Sequence, residues 1–297
     1  MGHAQRVAVI GLGEVGRVMV EDLRGTGDVD CAAWDVAFAD EMSTASRNAR
    51  DLGLPPASSA PAAVAGADLV ICAVTAARSV EAARAASVGI APGAWFVDVN
   101  SSSPGHKQQS AESIDRAGGR YVEAGLMSPI EPHRIASSFL LGGPHAAEFA
   151  ADADRWGFSR VRVVSDRVGR AAATKLCRSV VVKGLEALFT ESLLAARQYG
   201  VERDVLASLS NILPDADWEQ IAAYFVARSV QHGVRRAEEM EEAATTVRDV
   251  GVEPWMAGAT VHRQRWAAAH GNLLPGEPDL VALIDAFQLA PADREIA

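Results

Sequence analysis

The sequence predicts an α/β fold in which an N-terminal sheet domain is followed by an all-helical one, and three observations carry that expectation. Short β-rich runs alternate with helical or loop stretches up to about Val164, the mark of a mostly parallel sheet covered by helices. After Asp166 the strand signal stops. A long helical pattern from Gly169 to about Tyr199 then leads into further helices, with breaks expected at Pro214, Gly233, Gly251–Pro254 and Gly271–Pro278. The expected division of the 297 residues is 1–167 for the sheet domain and 168–297 for the helical one, close to the usual prior of about 150 residues per domain.

Each strand follows from its run of β-branched and apolar residues. Strands are expected at Arg6–Ile10, Cys31–Trp34, Leu69–Val74, Ala94–Asp98, Arg120–Ala124, Ser138–Leu141 and Arg160–Val164. With 49% hydrophobic and 22% charged residues the chain has ordinary globular composition, which excludes a mainly disordered or fibrous protein. Its net charge is 28 − 38 = −10. So acidic a surface is poorly suited to nucleic acid or anionic membranes, and a small molecule is the expected partner.

The longest run without charge, Leu52 to Ala67, contains Pro55, Pro56 and Pro61, so it is not a spanning helix. The N-terminal residues enter a strand-like run with no apolar leader, which predicts a cytoplasmic protein. Cys31, Cys72 and Cys177 are odd in number and far apart, and are expected as reduced, buried thiols. Neither a disulfide framework nor a metal site is expected.

The first strand runs into Gly11-Leu12-Gly13-Glu14-Val15-Gly16, and Arg17 to Leu23 continues as a helix. In that strand–turn–helix setting Gly11 permits the tight turn, Gly13 lets a pyrophosphate approach the backbone, and Gly16 lets helix and strand pack closely. The helix N-terminus offers N–H donors and a positive dipole end to the phosphates. Asp35 closes the second strand near the spacing, about 20 residues on, at which an acid meets the ribose hydroxyls of a dinucleotide. A carboxylate there repels the extra phosphate of NADP, and Val36, Ala37 and Phe38 bring no arginine to receive it. NAD is therefore expected over NADP.

Asp98-Val-Asn100-Ser101-Ser102-Ser103-Pro104 follows a later strand, at the carboxyl edge where ligands sit in open α/β sheets. Two readings fit and are compatible: Asn100, Ser101 and Ser102 donate hydrogen bonds to a carboxamide or substrate oxygen, and the serines cap the helix that Pro104 begins. On the long helix Lys175, Arg178 and Ser179 stand at i, i+3 and i+4 on one face, with Lys183 a step beyond. Basic groups on an otherwise apolar helix need an anion or a wet cleft; an ordinary solvated face is the alternative. The Arg235–Glu242 cluster reads as ion pairs along an exposed helix, His232, Trp255 and Trp266 as core packing groups, and His262 as a surface group.

The glycine turn at 11–16, the Asp98–Pro104 stretch, Glu123-Ala-Gly-Leu-Met-Ser128-Pro129, and Gly169 with Lys175 stand in the order and spacing of the β-hydroxyacid dehydrogenases. The resemblance spans nearly the whole chain. That family includes 3-hydroxyisobutyrate, tartronate semialdehyde and 6-phosphogluconate dehydrogenases. His232–Met240 through Gly251–Trp255 resembles the C-terminal helical domain of a phosphogluconate dehydrogenase-related branch.

The resemblance implies a Rossmann domain and an all-helical domain joined by a long helix carrying a catalytic lysine, here Lys175, and a homodimer formed through the helical domain. Family members have an asparagine four residues after the lysine, where this chain has Ser179. Their Ser-Gly-Gly grip on a carboxylate is replaced here by Ser128-Pro129, so the substrate is expected to differ from the standard small hydroxyacids.

The nicotinamide is then expected across the carboxyl ends of the strands near Val74, Thr75 and Asn100, with Lys175 as general acid or base. Free lysine titrates near ~10.4, so a base would need desolvation or a neighbouring cation such as Arg178, whereas an acid needs less tuning. Arg178 or Lys183 is a candidate partner for a substrate anion. Two other readings compete. One is an imine reductase on the same scaffold, against which the retained Lys175 argues; the other is a silent NAD-binding or sensing protein, for which the lost asparagine and glycine pair argue.

Overall fold

The computed structural model describes residues 5–27, 29–212, 215–272 and 279–287. Two compact units divide between Lys175 and Leu176. The first is built on seven strands: β1 (Gln5–Ile10), β2 (Val29–Trp34), β3 (Leu69–Cys72), β4 (Trp95–Asp98), β5 (Arg120–Leu126), β6 (Phe139–Gly142) and β7 (Val161–Ser165). They form one sheet in the order β2-β1-β3-β4-β5-β6-β7. Helices α1 (Glu14–Gly25), α2 (Thr44–Asp51), α3 (Ala60–Val64), α4 (Ser79–Ser87), α5 (Pro104–Arg116) and α6 (Ala146–Asp152) belong to the same unit.

All seven expected strands form, because runs such as Leu69–Cys72 and Trp95–Asp98 are buried on both faces and suit a covered parallel sheet. Val7, Val9, Ile71 and Val97 pack into one core layer with Met19, Leu23, Phe149 and Trp156. Ala8, Ile10, Val70, Cys72, Phe96 and Tyr121 pack into the other. One pairing departs from parallel: β5 and β6 run antiparallel. The Met127–Ser138 connection between them holds one short 3-10 turn, Arg134–Ala136, and no crossover helix, so the chain turns back on itself.

Because β1 lies between β2 and β3, the chain crosses β1 in passing from the second strand to the third. The connections therefore diverge at the carboxyl ends of β1 and β3, which opens a crevice there.

Helix α7 (Arg170–Tyr199) begins in the first unit and continues into the second, where it is joined by α8 (Glu202–Ser208), α9 (Trp218–Arg248), α10 (Trp255–His270) and α11 (Leu280–Asp285). Leu193, Leu206, Val226, Leu283 and Phe287 form one apolar cluster of this unit; Leu176, Met240 and Val261 form another. No helix of the described residues is long and apolar enough to cross a membrane.

Four expectations change here. Gly233 breaks nothing: α9 runs straight through it, because a Cβ at this position would stand 2.4 Å from the Gln264 carbonyl oxygen of α10, and only glycine permits that approach. The charged cluster at 235–242, expected on an exposed helix, buries Arg236 and Glu242 and makes ion pairs to other helices, Arg236 with Glu186, Glu239 with Lys183 and Glu241 with Arg265. Cys177 is exposed, unlike Cys31 and Cys72. Trp255 is exposed as well, whereas Trp266 stacks on Phe287. The break expected at Pro214 and residues 273–278 of the Gly271–Pro278 break lie outside the described residues.

Gly233→Ala weighs two effects against each other. Alanine gains about 1 kcal/mol of helix propensity, but overpacking against a backbone carbonyl costs typically about 1–3 kcal/mol. The thermal midpoint of the variant is expected to fall. A rise would mean that α9 and α10 are not in contact at this glycine.

Candidate active site

The glycine turn is built by three different constraints. Gly11 has φ +92°, and a Cβ there would lie 2.4 Å from the Ala73 carbonyl oxygen and 2.9 Å from Val74 Cγ1, so the turn is pressed onto the end of β3. Gly16 has no room for a side chain either, since its Cβ would meet the Gly11 carbonyl at 1.9 Å. Gly13 is the opposite case. A Cβ there would meet no protein atom within 4 Å, which leaves the backbone open to a ligand.

Glu14 is exposed at the first position of α1, Leu12 is buried, and Val15 packs on the core. The first amides of α1 have no partner within the helix, as at any helix N-terminus, and they adjoin the open side of Gly13. This turn fits a dinucleotide pyrophosphate.

Asp35 holds the glycine turn to the end of β2. Its Oδ2 accepts from Leu12 N–H at 2.8 Å and its Oδ1 from Ala37 N–H at 2.8 Å, while each oxygen keeps a second acceptor site. Asn48, which the sequence reading passed over, braces the turn from α2. Its Nδ2 donates to the Leu12 carbonyl at 2.8 Å and its Oδ1 accepts from Arg17 at 3.1 Å.

At the end of β4, Asp98 is fully enclosed and its charge is met from several sides. Lys107 of α5 lies 2.7 Å away, the Tyr121 hydroxyl donates at 2.7 Å, and Asn100 N–H donates at 3.0 Å. Lys107 also donates to the Asp98 carbonyl at 3.0 Å. Glu123 of β5 is the register partner of Asp98 and is equally buried. Its Oε2 accepts from Gly169 N–H at 2.8 Å and its Oε1 from Ala172 N–H, so it closes the first turn of α7. Burial raises the proton affinity of Glu123, while Lys107 and the two amides oppose that rise.

Asn100 requires a correction. Its Nδ2 is spent on Cys72 Sγ at 3.3 Å, so the group left without a partner is its acceptor Oδ1, which suits the N–H of a carboxamide rather than an oxygen. Burial pushes the Cys72 thiol up to about 12, so the sulfur that receives this bond is neutral. Ser102 Oγ is likewise buried without a hydrogen-bond partner. Ser103 takes the cap position of α5 with Pro104 as its first residue, but its hydroxyl makes no capping bond.

Lys175, half-buried, donates from Nζ to Ser101 Oγ at 2.5 Å. The structure thus brings Lys175, Ser101, Asn100, Val74 and the glycine turn to one edge of the sheet, with Thr75 exposed beside them. Other expected residues go elsewhere. Ser128 turns its hydroxyl to the adjacent Pro129 carbonyl at 3.0 Å. Ser179 accepts from Lys183 at 3.3 Å, and Lys183 is also paired with Glu239, so that lysine is committed to protein groups. Arg178 is exposed.

A further link went unread in the sequence. Arg134, at φ 55°, donates to Asp22 at 2.8 Å and Glu21 at 2.6 Å, and so fastens the β5–β6 connection to α1.

Comparison with known proteins agrees with this geometry. Residues 6–152 match the NAD binding domain of 6-phosphogluconate dehydrogenase, and residues 196–267 match a domain of unknown function, DUF1932. A conserved hypothetical protein of Sinorhizobium meliloti is similar at 29% identity and TM-score 0.74, over 95% of this chain and 96% of that one. The 3-hydroxyisobutyrate dehydrogenase of Mycobacterium tuberculosis shares the fold at 19% identity and TM-score 0.71, over 95% and 99%. An imine reductase of Streptomyces aurantiacus shares it at 19% and 0.57, over 95% and 98%. The chain thus carries a match to the NAD binding domain of 6-phosphogluconate dehydrogenase in its first unit, which supports a nicotinamide dinucleotide as cofactor, followed by a match to DUF1932 in its helical unit.

Proposed function

We propose that the protein is an NAD-dependent oxidoreductase that interconverts a hydroxyl and a carbonyl group on a small, hydroxyacid-like molecule, with Lys175 as its general acid and base. The observation that carries the proposal is the placement of the Lys175 ammonium on Ser101, at the same sheet edge as the glycine turn. A lysine amine held there on a serine hydroxyl supports a catalytic group over an inert dinucleotide binder. The bound nicotinamide ring supplies or receives the hydride.

The chain's own residues do the rest. The open backbone at Gly13 and the first amides of α1 receive the phosphates. Asn100 Oδ1 offers an acceptor to the carboxamide. Lys175 gives a proton to the substrate oxygen in reduction and takes it in oxidation, while Ser101 orients the amine. The Ser128 hydroxyl is turned to Pro129, which supports a substrate gripped differently from the standard small hydroxyacids.

NAD is favoured over NADP by Asp35 and by the arginines that follow it. Arg47 donates to the Met42 carbonyl at 2.8 Å and Arg50 to the Glu41 carbonyl at 2.9 Å, so these cations already bind main chain.

Lys175→Ala is expected to lower turnover by at least about a hundredfold, the usual effect of removing a general acid–base, while NADH affinity stays nearly intact. Nicotinamide absorbance with a panel of hydroxyacids, alcohols and cyclic imines measures this, and unchanged turnover would remove the mechanism. The cofactor preference has a separate check by calorimetry. The parent protein is expected to bind NAD more tightly than NADP, and Asp35→Ala to weaken NAD and narrow the gap; equal affinities in the parent would contradict the role given to that carboxylate.

A further inference from the structure

We propose that Glu123 is the positioning residue for Lys175: by closing the first turn of α7 with its buried carboxylate, it fixes where the ammonium reaches and how firmly it holds its proton. The proposal rests on the reading of Lys175 as the acid–base group, and four observations support it. Both oxygens of Glu123 accept from the start of α7, at Gly169 and Ala172. The carboxylate fills the space that Gly142 of β6 leaves, since a Cβ there would stand 2.5 Å from its Oε2. Gly169, at φ +100°, is pressed onto α5, where a Cβ would meet Pro104 Cβ at 3.1 Å. Ser101, which receives the Lys175 proton donor, lies in the loop just before Pro104.

The start of α7 is therefore wedged between Glu123 and α5, and Lys175 follows about 9 Å along the helix at 1.5 Å per residue. A displaced first turn would carry the ammonium away from Ser101.

Charge gives the second half of the inference. The groups facing Glu123 are Lys107 from α5, Asp98 from β4 and Tyr121 from its own strand. Lys107 is committed to Asp98, so an ionised Glu123 leaves this cluster with one net negative charge at the amino end of α7. A negative charge at that distance favours the cationic form of Lys175.

The test compares wild type, Glu123→Gln and Glu123→Asp by trace acetylation of Lys175 with acetic anhydride across pH, in the protein without cofactor, together with kcat and KM. Glu123→Gln is expected to move the acetylation profile to lower pH by on the order of one unit, the scale for losing a charge about 10 Å away at an effective dielectric near 20. Glu123→Asp keeps the charge but shortens the reach, so the profile should stay put while kcat falls about tenfold with less change in KM. If Glu123→Gln does not fold, Gly142→Ala decides: it crowds the carboxylate without removing it, and a lower kcat with an unmoved profile is expected.

An acetylation profile and kcat that are the same in every folded variant would overturn the proposal. Failure of the functional reading shows separately, as equal turnover by wild type and Lys175→Ala, and the acetylation profile does not depend on that result.

Discussion

Two carboxylates, Asp98 and Glu123, stand side by side on neighbouring strands in a dry interior, and the site takes its shape from how their charge is met. Burying such groups is costly unless each finds a counter-charge or several donors. Asp98 is met by Lys107, which draws α5 against the end of β4. Glu123 is met by the first amides of α7, which draws that helix to the end of β5. The loop carrying Asn100 and Ser101 is caught between these two anchors, and Lys175 then falls on Ser101. Buried charge adds little stability here compared with an apolar core; its return is a fixed geometry.

The dinucleotide end of the crevice obeys a similar logic with weaker forces. Asp35 and Asn48 hold the glycine turn from β2 and α2, so the carboxylate at the end of β2 has a structural part in the turn. Arg17 joins Asn48 to Glu21, and Arg134 joins Glu21 to the β5–β6 connection. A continuous set of polar contacts thus runs from the turn that would hold phosphates to the loop that carries Ser128.

What could be read from the residues was whatever has a short-range signature. The strands showed in their apolar runs, the glycine turn in its three spacings, and the lysine in its place after Gly169. Lys107 did not show, because a lysine on a helix is ordinarily solvated and only the packing of α5 at the end of β4 puts Asp98 beside it. Asn48 and Tyr121 are unremarkable in sequence for the same reason: their partners are distant along the chain. Gly233 misled because the rule that glycine ends a helix competes with the rule that glycine lets two helices touch, and contact with Gln264 decided it. Arg236 misled likewise, since local spacing favoured neighbours on its own helix while Glu186 lay buried opposite.

Urea denaturation of Lys107→Met, alone and combined with Asp98→Asn, tests the central claim most directly. Leaving Asp98 buried without its counter-ion is expected to cost about 3–5 kcal/mol, and neutralising both partners to recover most of that loss. A single variant within about 1 kcal/mol of the parent would contradict the account, because the carboxylates would then not be what holds α5 and α7 to the site.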